Sequence, residues 1–157
     1  MSDQALREHV TALLRWEDAH AGIDQIVDGV PADRWAADAP GLPYTLWQLL
    51  EHLRLVQYDI LDFCRNPGYA QPRWPEGYWP EESDQPTAEA VAGSIAAFRR
   101  DREALTELAL DRKTDLFGRI PHGTGQTYLR ELLLVADHTA YHLGQMVVVR
   151  RSLGIWE

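Results

Sequence analysis

The stretch TLWQLLEHLRLVQYDILDFCR, Thr45–Arg65, reads as one long helix and decides the class of the fold. Thr45 and Gln48 have the spacing of a capping box just after Pro43, which gives the helix a defined start. Leu46, Leu49, Leu53, Val56, Ile60 and Phe63 then recur at alternating steps of three and four, so they gather on one face of a 3.6-residue spiral. Asn66, Pro67 and Gly68 end it. A helix with one apolar stripe has to bury that stripe against other elements.

The same period continues on both sides. Upstream, a helix is predicted from about Gln4 to Gly29, with Leu6, His9, Leu13, Trp16, His20, Ile23 and Val27 as its stripe and Gly29 and Pro31 as its stop. Downstream, a third runs from about Thr87 to Asp111 with Val91, Ile95, Phe98, Leu105 and Leu108 on its buried side. A fourth runs from about Thr127 to Leu153 with Leu132, Val135, Met146, Val149 and Leu153 as its seam and Gly154 as its stop. Nothing alternates as strands do. The expectation is an all-α four-helix bundle forming a single domain over residues 1–157.

The segment from Asn66 to Pro86 is long, holds five prolines and carries Tyr69, Trp74, Tyr78 and Trp79. A helix of about 21 residues is roughly 30 Å long, and an extended segment of this size can run back along it. Helices two and three would then be parallel, while the short loops elsewhere favour antiparallel neighbours, giving an up-down-down-up order with one crossover. Crossover packing is the expected role of the aromatic residues, and shaping a pocket is the alternative.

Composition limits the functions. Apolar residues make up 45% and charged residues 25%, a globular balance. The net charge of -9 argues against nucleic acid and anionic membranes as partners, because phosphate-backbone affinity depends on clustered Lys and Arg. Cys64 is the one cysteine, which excludes an internal disulfide and any multi-thiolate metal site, and it reads as a small apolar residue on a helix. The polar opening MSDQALREHV lacks the pattern of a signal peptide, so the cytoplasm is the expected location.

His138 and His142 lie four residues apart in ADHTAYHLGQ, Ala136–Gln145, and project from one face about one turn apart. Two imidazoles at that spacing can share a metal. The spacing alone is weak, since six histidines make many pairs, but the seam of the fourth helix passes beside both. His52 adjoins the seam residue Leu53 and shares a side with Leu49, Val56 and Asp59. Three neutral imidazoles suit a borderline cation and leave positions open for water or substrate. Histidines bonded to backbone or carboxylates are the structural alternative.

With a histidine in the middle of the second helix, a long second connection and HTAYHLGQ on the fourth, the chain resembles the DinB-like family. This is a group of bacterial four-helix bundles described as metalloenzymes related to small-thiol S-transferases. The resemblance covers most of the chain. It implies His52 as the second-helix ligand, His138 and His142 as the pair on the last helix, a divalent ion that is commonly zinc or nickel, and a bundle that often forms a homodimer.

The other polar candidates have weaker claims. His20, in WEDAH, is a candidate pocket residue, and Asp59 and Glu131, each seven residues from a candidate ligand, are candidate acceptors for a ligand imidazole. His9 reads as half-buried and His122 as a solvated loop residue. Arg54, Arg130, Arg150 and Arg151 read as surface charges, with clamping of an anionic substrate as the alternative. By resemblance, the activity is transfer of a low-molecular-weight thiol, such as bacillithiol or mycothiol, to an electrophilic small-molecule substrate. A non-enzymatic metal- or ligand-binding stress protein and a metal-dependent hydrolase are the alternatives.

Overall fold

A computed structural model describes residues 3–15 and 19–156. Among these, the helices are α1 (Gln4–Leu14), α2 (Ile23–Val27), α3 (Leu46–Arg65), α4 (Ala88–Leu110) and α5 (Tyr128–Ser152), with a 3-10 turn at Ala32–Arg34. The described residues contain no strand, only an isolated bridge between Arg119 and Thr127.

The three long helices start where their threonines place them. Thr45 and Gln48 form the full capping box on α3, Thr87 accepts from the Ala90 amide at 3.2 Å on α4, and Thr127 accepts from the Arg130 amide at 3.2 Å on α5. Each cap satisfies an amide with no intrahelical partner. At the far end of α5, Gly154 takes a φ of +69°. Its amide reaches the Arg151 carbonyl and the Ile155 amide reaches that of Arg150, both at 3.0 Å, a closure that a left-handed glycine permits.

The first predicted helix is corrected. The stretch Gln4–Gly29 is not one helix: α1 ends at Leu14, and α2 begins only after Gly22, whose φ of -80° and ψ of 170° are extended. Trp16, Glu17 and Asp18, part of that prediction, lie outside the described residues. The buried stripe of α1 is Arg7, Val10 and Leu14, one position along from the predicted Leu6, His9 and Leu13. The break follows from where the two pieces pack. Val10 and Leu14 enter a core with Ile60, Leu105, Leu132 and Val135, whereas Ile23 and Ile26 enter another with Leu46, Leu49, Met146 and Val149. Burial in two separate cores outweighs the weak propensity that would keep the spiral continuous through Gly22.

Polar pairs fix the register between helices. From α3 to α4, Glu51 accepts from the Ser94 hydroxyl, Gln57 donates to the Phe98 carbonyl at 2.7 Å and Arg65 donates to the Ala104 carbonyl at 2.7 Å, so numbers rise together. From α1 to α4 they run oppositely, with Arg7 at Ala109 and Arg15 paired with Glu103. Two buried arginines close helix ends from a distance. Arg7 donates to the carbonyls of Ala109 (2.7 Å), Asp111 (3.0 Å) and Thr114 (2.7 Å) at the end of α4. Arg150 donates to those of Ile26 (2.6 Å) and Asp28 (3.0 Å) at the end of α2, so it is no surface charge.

By length and composition α5 could cross a membrane. Its inward side nevertheless buries Glu131, His142 and Arg150 along with its leucines and valines, as the central helix of a bundle does.

Candidate metal centre

α3 and α5 face each other and bring three imidazoles together. His138 and His142 occupy successive turns of one face of α5, and His52 projects from α3 between them and the returning loop. Ring centroids lie 5.0 Å apart for His52 and His138, 4.7 Å for His52 and His142, and 4.4 Å for His138 and His142. One ring nitrogen from each falls within 4.8 Å of the others. His52 and His142 are buried and His138 half-buried.

Hydrogen bonds on the outer side of two rings select the tautomer. Nδ1 of His52 lies 2.7 Å from the Tyr78 carbonyl and Nδ1 of His142 lies 2.6 Å from Oε1 of Gln145. Both acceptors require a proton on Nδ1, which leaves the Nε2 lone pair of each ring facing inward. Burial, the largest cause, pushes His52 down to about 4 and His138 down to about 3, and it lowers His142 as well. All three are therefore neutral near pH 7, the form that binds a metal.

The geometry fits a cation. Nε2 of His52 and Nε2 of His138 are 3.1 Å apart, a separation at which two bare lone pairs repel unless a proton or a cation lies between them. Metal–nitrogen bonds of about 2.0–2.1 Å set neighbouring ligand nitrogens about 2.9–3.4 Å apart, depending on the angle at the ion. The cluster thus can bind a metal ion, and among the described residues only these three donors converge there.

The loop between α3 and α4 completes the site. Trp79 stacks on His52 with centroids 3.7 Å apart and planes 6° from parallel, and it also lies nearly parallel to Tyr44 at 4.9 Å. Its neighbour Tyr78 supplies the carbonyl for His52. Asp59 pins this part of the loop to α3: it accepts from the Tyr69 hydroxyl at 2.7 Å and from the Tyr78 hydroxyl at 3.0 Å. Burial raises the Asp59 carboxyl, and the two hydroxyls oppose that shift.

The remaining candidates fall away from the imidazoles. Asp59 touches no histidine and acts through the tyrosines. Glu131 is buried but pairs with Arg130 at 2.7 Å, beside a cavity of about 200 Å³ shared with Asp59, Tyr69 and Gln126. His20 is exposed and borders a separate cavity with Leu14, Arg102 and Thr139. His9 is exposed, and His122 bonds the Phe63 carbonyl at 2.7 Å. Arg54 pairs with Glu51. Burial pushes the Cys64 thiol up to about 12, so it supplies no thiolate.

Sequence reasoning missed three partners. Gln145 stands three residues after His142 on the same helix face, a signal that the sequence does contain. The Tyr78 carbonyl and the Trp79 ring have no such signal, because a main-chain acceptor and a loop's path leave no mark in residue spacing.

Neither the curated proteins nor the solved structures contain a significant match to the chain. The model of the DinB superfamily matches residues 15–146, a span that holds α2 to α4, most of α5 and all three histidines, and the chain belongs to that superfamily.

Proposed function

We propose that the protein holds one divalent cation, zinc or nickel, on His52, His138 and His142 and transfers a low-molecular-weight thiol to an electrophilic small molecule. The observation that carries this reading is the set of three neutral imidazoles with inward nitrogens, two of them fixed from behind. Three protein donors leave a position free, as in catalytic rather than closed structural sites. When bound, such an ion lowers the pKa of a thiol or water that reaches it toward neutrality. In the transfer the sulfur electron pair forms the new S–C bond, the thiol proton passes to solvent, and the displaced group leaves with the bonding pair.

The chain's own residues prepare the site. Tyr78 and Gln145 keep the Nδ1 protons of their histidines in place, and Trp79 covers one face of His52 against water. The same reading includes an up-down-down-up bundle with residues 66–86 as the crossover. The parallel register of Glu51, Gln57 and Arg65 with Ser94, Phe98 and Ala104 supports that order. It also includes a homodimer, supported by the family's habit of pairing, and a cytoplasmic setting, where a lone thiol such as Cys64 is stable. The net charge of -9 supports small molecules over nucleic acid or membrane as partners.

The test is elemental analysis of protein purified without a histidine tag, followed by incubation with several small thiols and an electrophilic dye. About one ion per chain, with turnover that His142→Ala abolishes, is the expected result. No stoichiometric metal sinks the metal reading; metal without turnover on any thiol favours a binding protein instead.

A further inference from the structure

We infer that two copies of this chain pair through the outer face of α5, the two helices running antiparallel and crossing at Gly144. The pairing itself rests on the proposed homodimer; the face and its register are new. α5 is apolar enough to cross a membrane, yet only 39% of its most apolar stretch is buried within the chain. On its outer side Leu133, Tyr141 and Val148 are 44%, 64% and 49% exposed. Steps of three and four set them on one face with Asp137, Ala140, Gly144 and Arg151, which are exposed as well.

Gly144 serves no purpose inside its own chain. Glycine in a helix interior is destabilising relative to alanine, and a Cβ built here meets nothing within 4 Å. What a bare Cα on an exposed face does permit is close approach of another backbone.

Charge identifies the occupant and its direction. Asp137 stands seven residues before Gly144 and Arg151 seven after it, on the same face. Among the described residues neither has an ion pair or a side-chain hydrogen bond within the chain. A second α5 laid antiparallel, with Gly144 on the two-fold axis, brings together residues equally far from that position. Asp137 then meets the partner's Arg151, twice over by symmetry, and Ala140 meets the partner's Val148. A parallel pair would set like charges against each other. A bilayer would have to take up both charges, and the net charge of -9 repels an anionic surface.

A groove widens the face. Leu42, Tyr44, Leu49 and Val149 wall an apolar cavity of about 260 Å³ that opens beside Tyr141, Gly144 and Val148, where an aromatic side chain such as the partner's Tyr141 can seat. From Arg130 to Arg151 the face is roughly 30 Å long, close to the breadth of a standard interface of about 800 Å² per partner. Pairing here reaches the histidine centre from behind. The Tyr141 ring stands edge-on to His142 at 4.9 Å, its hydroxyl accepts from Gln145 at 3.4 Å, and Gln145 accepts the proton of His142. The second copy lies over Tyr141 and Gln145 and keeps water from that chain of contacts.

The test is sedimentation equilibrium of the full chain, metal-free and metal-loaded, so that failure of the metal reading leaves the result readable. Asp137→Arg and Arg151→Asp each set like charges across the axis and are expected to weaken the dimer at least about tenfold. The double variant exchanges the charges and is expected to return to within about threefold of the wild type. All of these positions are exposed, and circular dichroism checks that the helices persist. Gly144→Cys is expected to form an intermolecular disulfide on mild oxidation, faster than a collision control, Asn66→Cys, while Cys64 stays buried. A dimer that neither reversal weakens, a double variant no better than the singles, or Gly144→Cys cross-linking no faster than the control overturns this face and leaves the homodimer standing. A chain that stays monomeric at high micromolar concentration overturns both, and a monomer that binds vesicles of anionic lipid gives the face to a membrane instead.

Discussion

The carbonyl oxygen of Tyr78 stands 2.7 Å from Nδ1 of His52, so a main-chain atom of the long loop fixes the tautomer of a ring on α3. The centre is thereby assembled from two helices and a returning strap, and the strap is held by Asp59 through two tyrosine hydroxyls.

Loosening that strap is expected to weaken metal binding without removing a ligand. Asp59→Asn and Tyr78→Phe both leave the Tyr78 carbonyl in the chain but cut the clamp. Loss of partners behind a ligand lowers affinity about 10–100-fold, and an indirect clamp belongs near tenfold. Competition against a chromophoric chelator measures it. Wild-type affinity in both variants means that the loop holds its place without Asp59.

Gln145 provides a sharper comparison on α5. Gln145→Ala removes the acceptor 2.6 Å from Nδ1 of His142 and is expected to cost about tenfold in metal affinity, whereas Gln145→Glu keeps an acceptor and restores it. Cobalt substitution adds a second readout, since the ligand-field bands report ring orientation. Equal loss in the two variants points to packing rather than to the hydrogen bond.

The buried rings also predict how metal-free protein responds to acid. His52 and His138 lie at about 4 and about 3 in the folded chain, below the ordinary 6.5, so between pH 6.5 and those values the unfolded chain binds protons that the folded chain refuses. Stability is therefore unaffected above pH 6.5 and falls as the pH drops below it, by up to about one proton per histidine in the slope. Urea unfolding at pH 7, 6 and 5 measures this. His138→Ala is expected to show a shallower fall, carboxylate contributions being common to both proteins; identical slopes rule out the buried neutral ring.

Several of these features were readable from spacing. The threonine caps and the pair His138 and His142 are local patterns, and helix geometry turns local spacing directly into a shared face. His52, beside the stripe of its own helix, rests more on the family resemblance than on spacing. The first helix reads as continuous because Leu13, Ile23 and Val27 keep a helical period across a break that burial in two separate cores creates. Arg150 reads as a surface charge because the Ile26 and Asp28 carbonyls it closes lie more than a hundred residues away in sequence.

Arg7 tests this kind of long-range cap. It is buried and donates to three carbonyls at and beyond the end of α4. Arg7→Met keeps much of the volume but leaves those acceptors without a partner, with an expected loss of about 3 kcal/mol. Thermal unfolding checks it, and a change below about 0.5 kcal/mol shows that water replaces the guanidinium.

All three imidazoles and the groups behind them come from α3, α5 and the loop joining α3 to α4, while α1, α2 and α4 supply none of them. Chemistry and scaffold are therefore separable in this chain. The supporting helices can be exchanged or redesigned to raise heat resistance, and the loop can be varied to retune what is accepted, with the ligand set carried over intact.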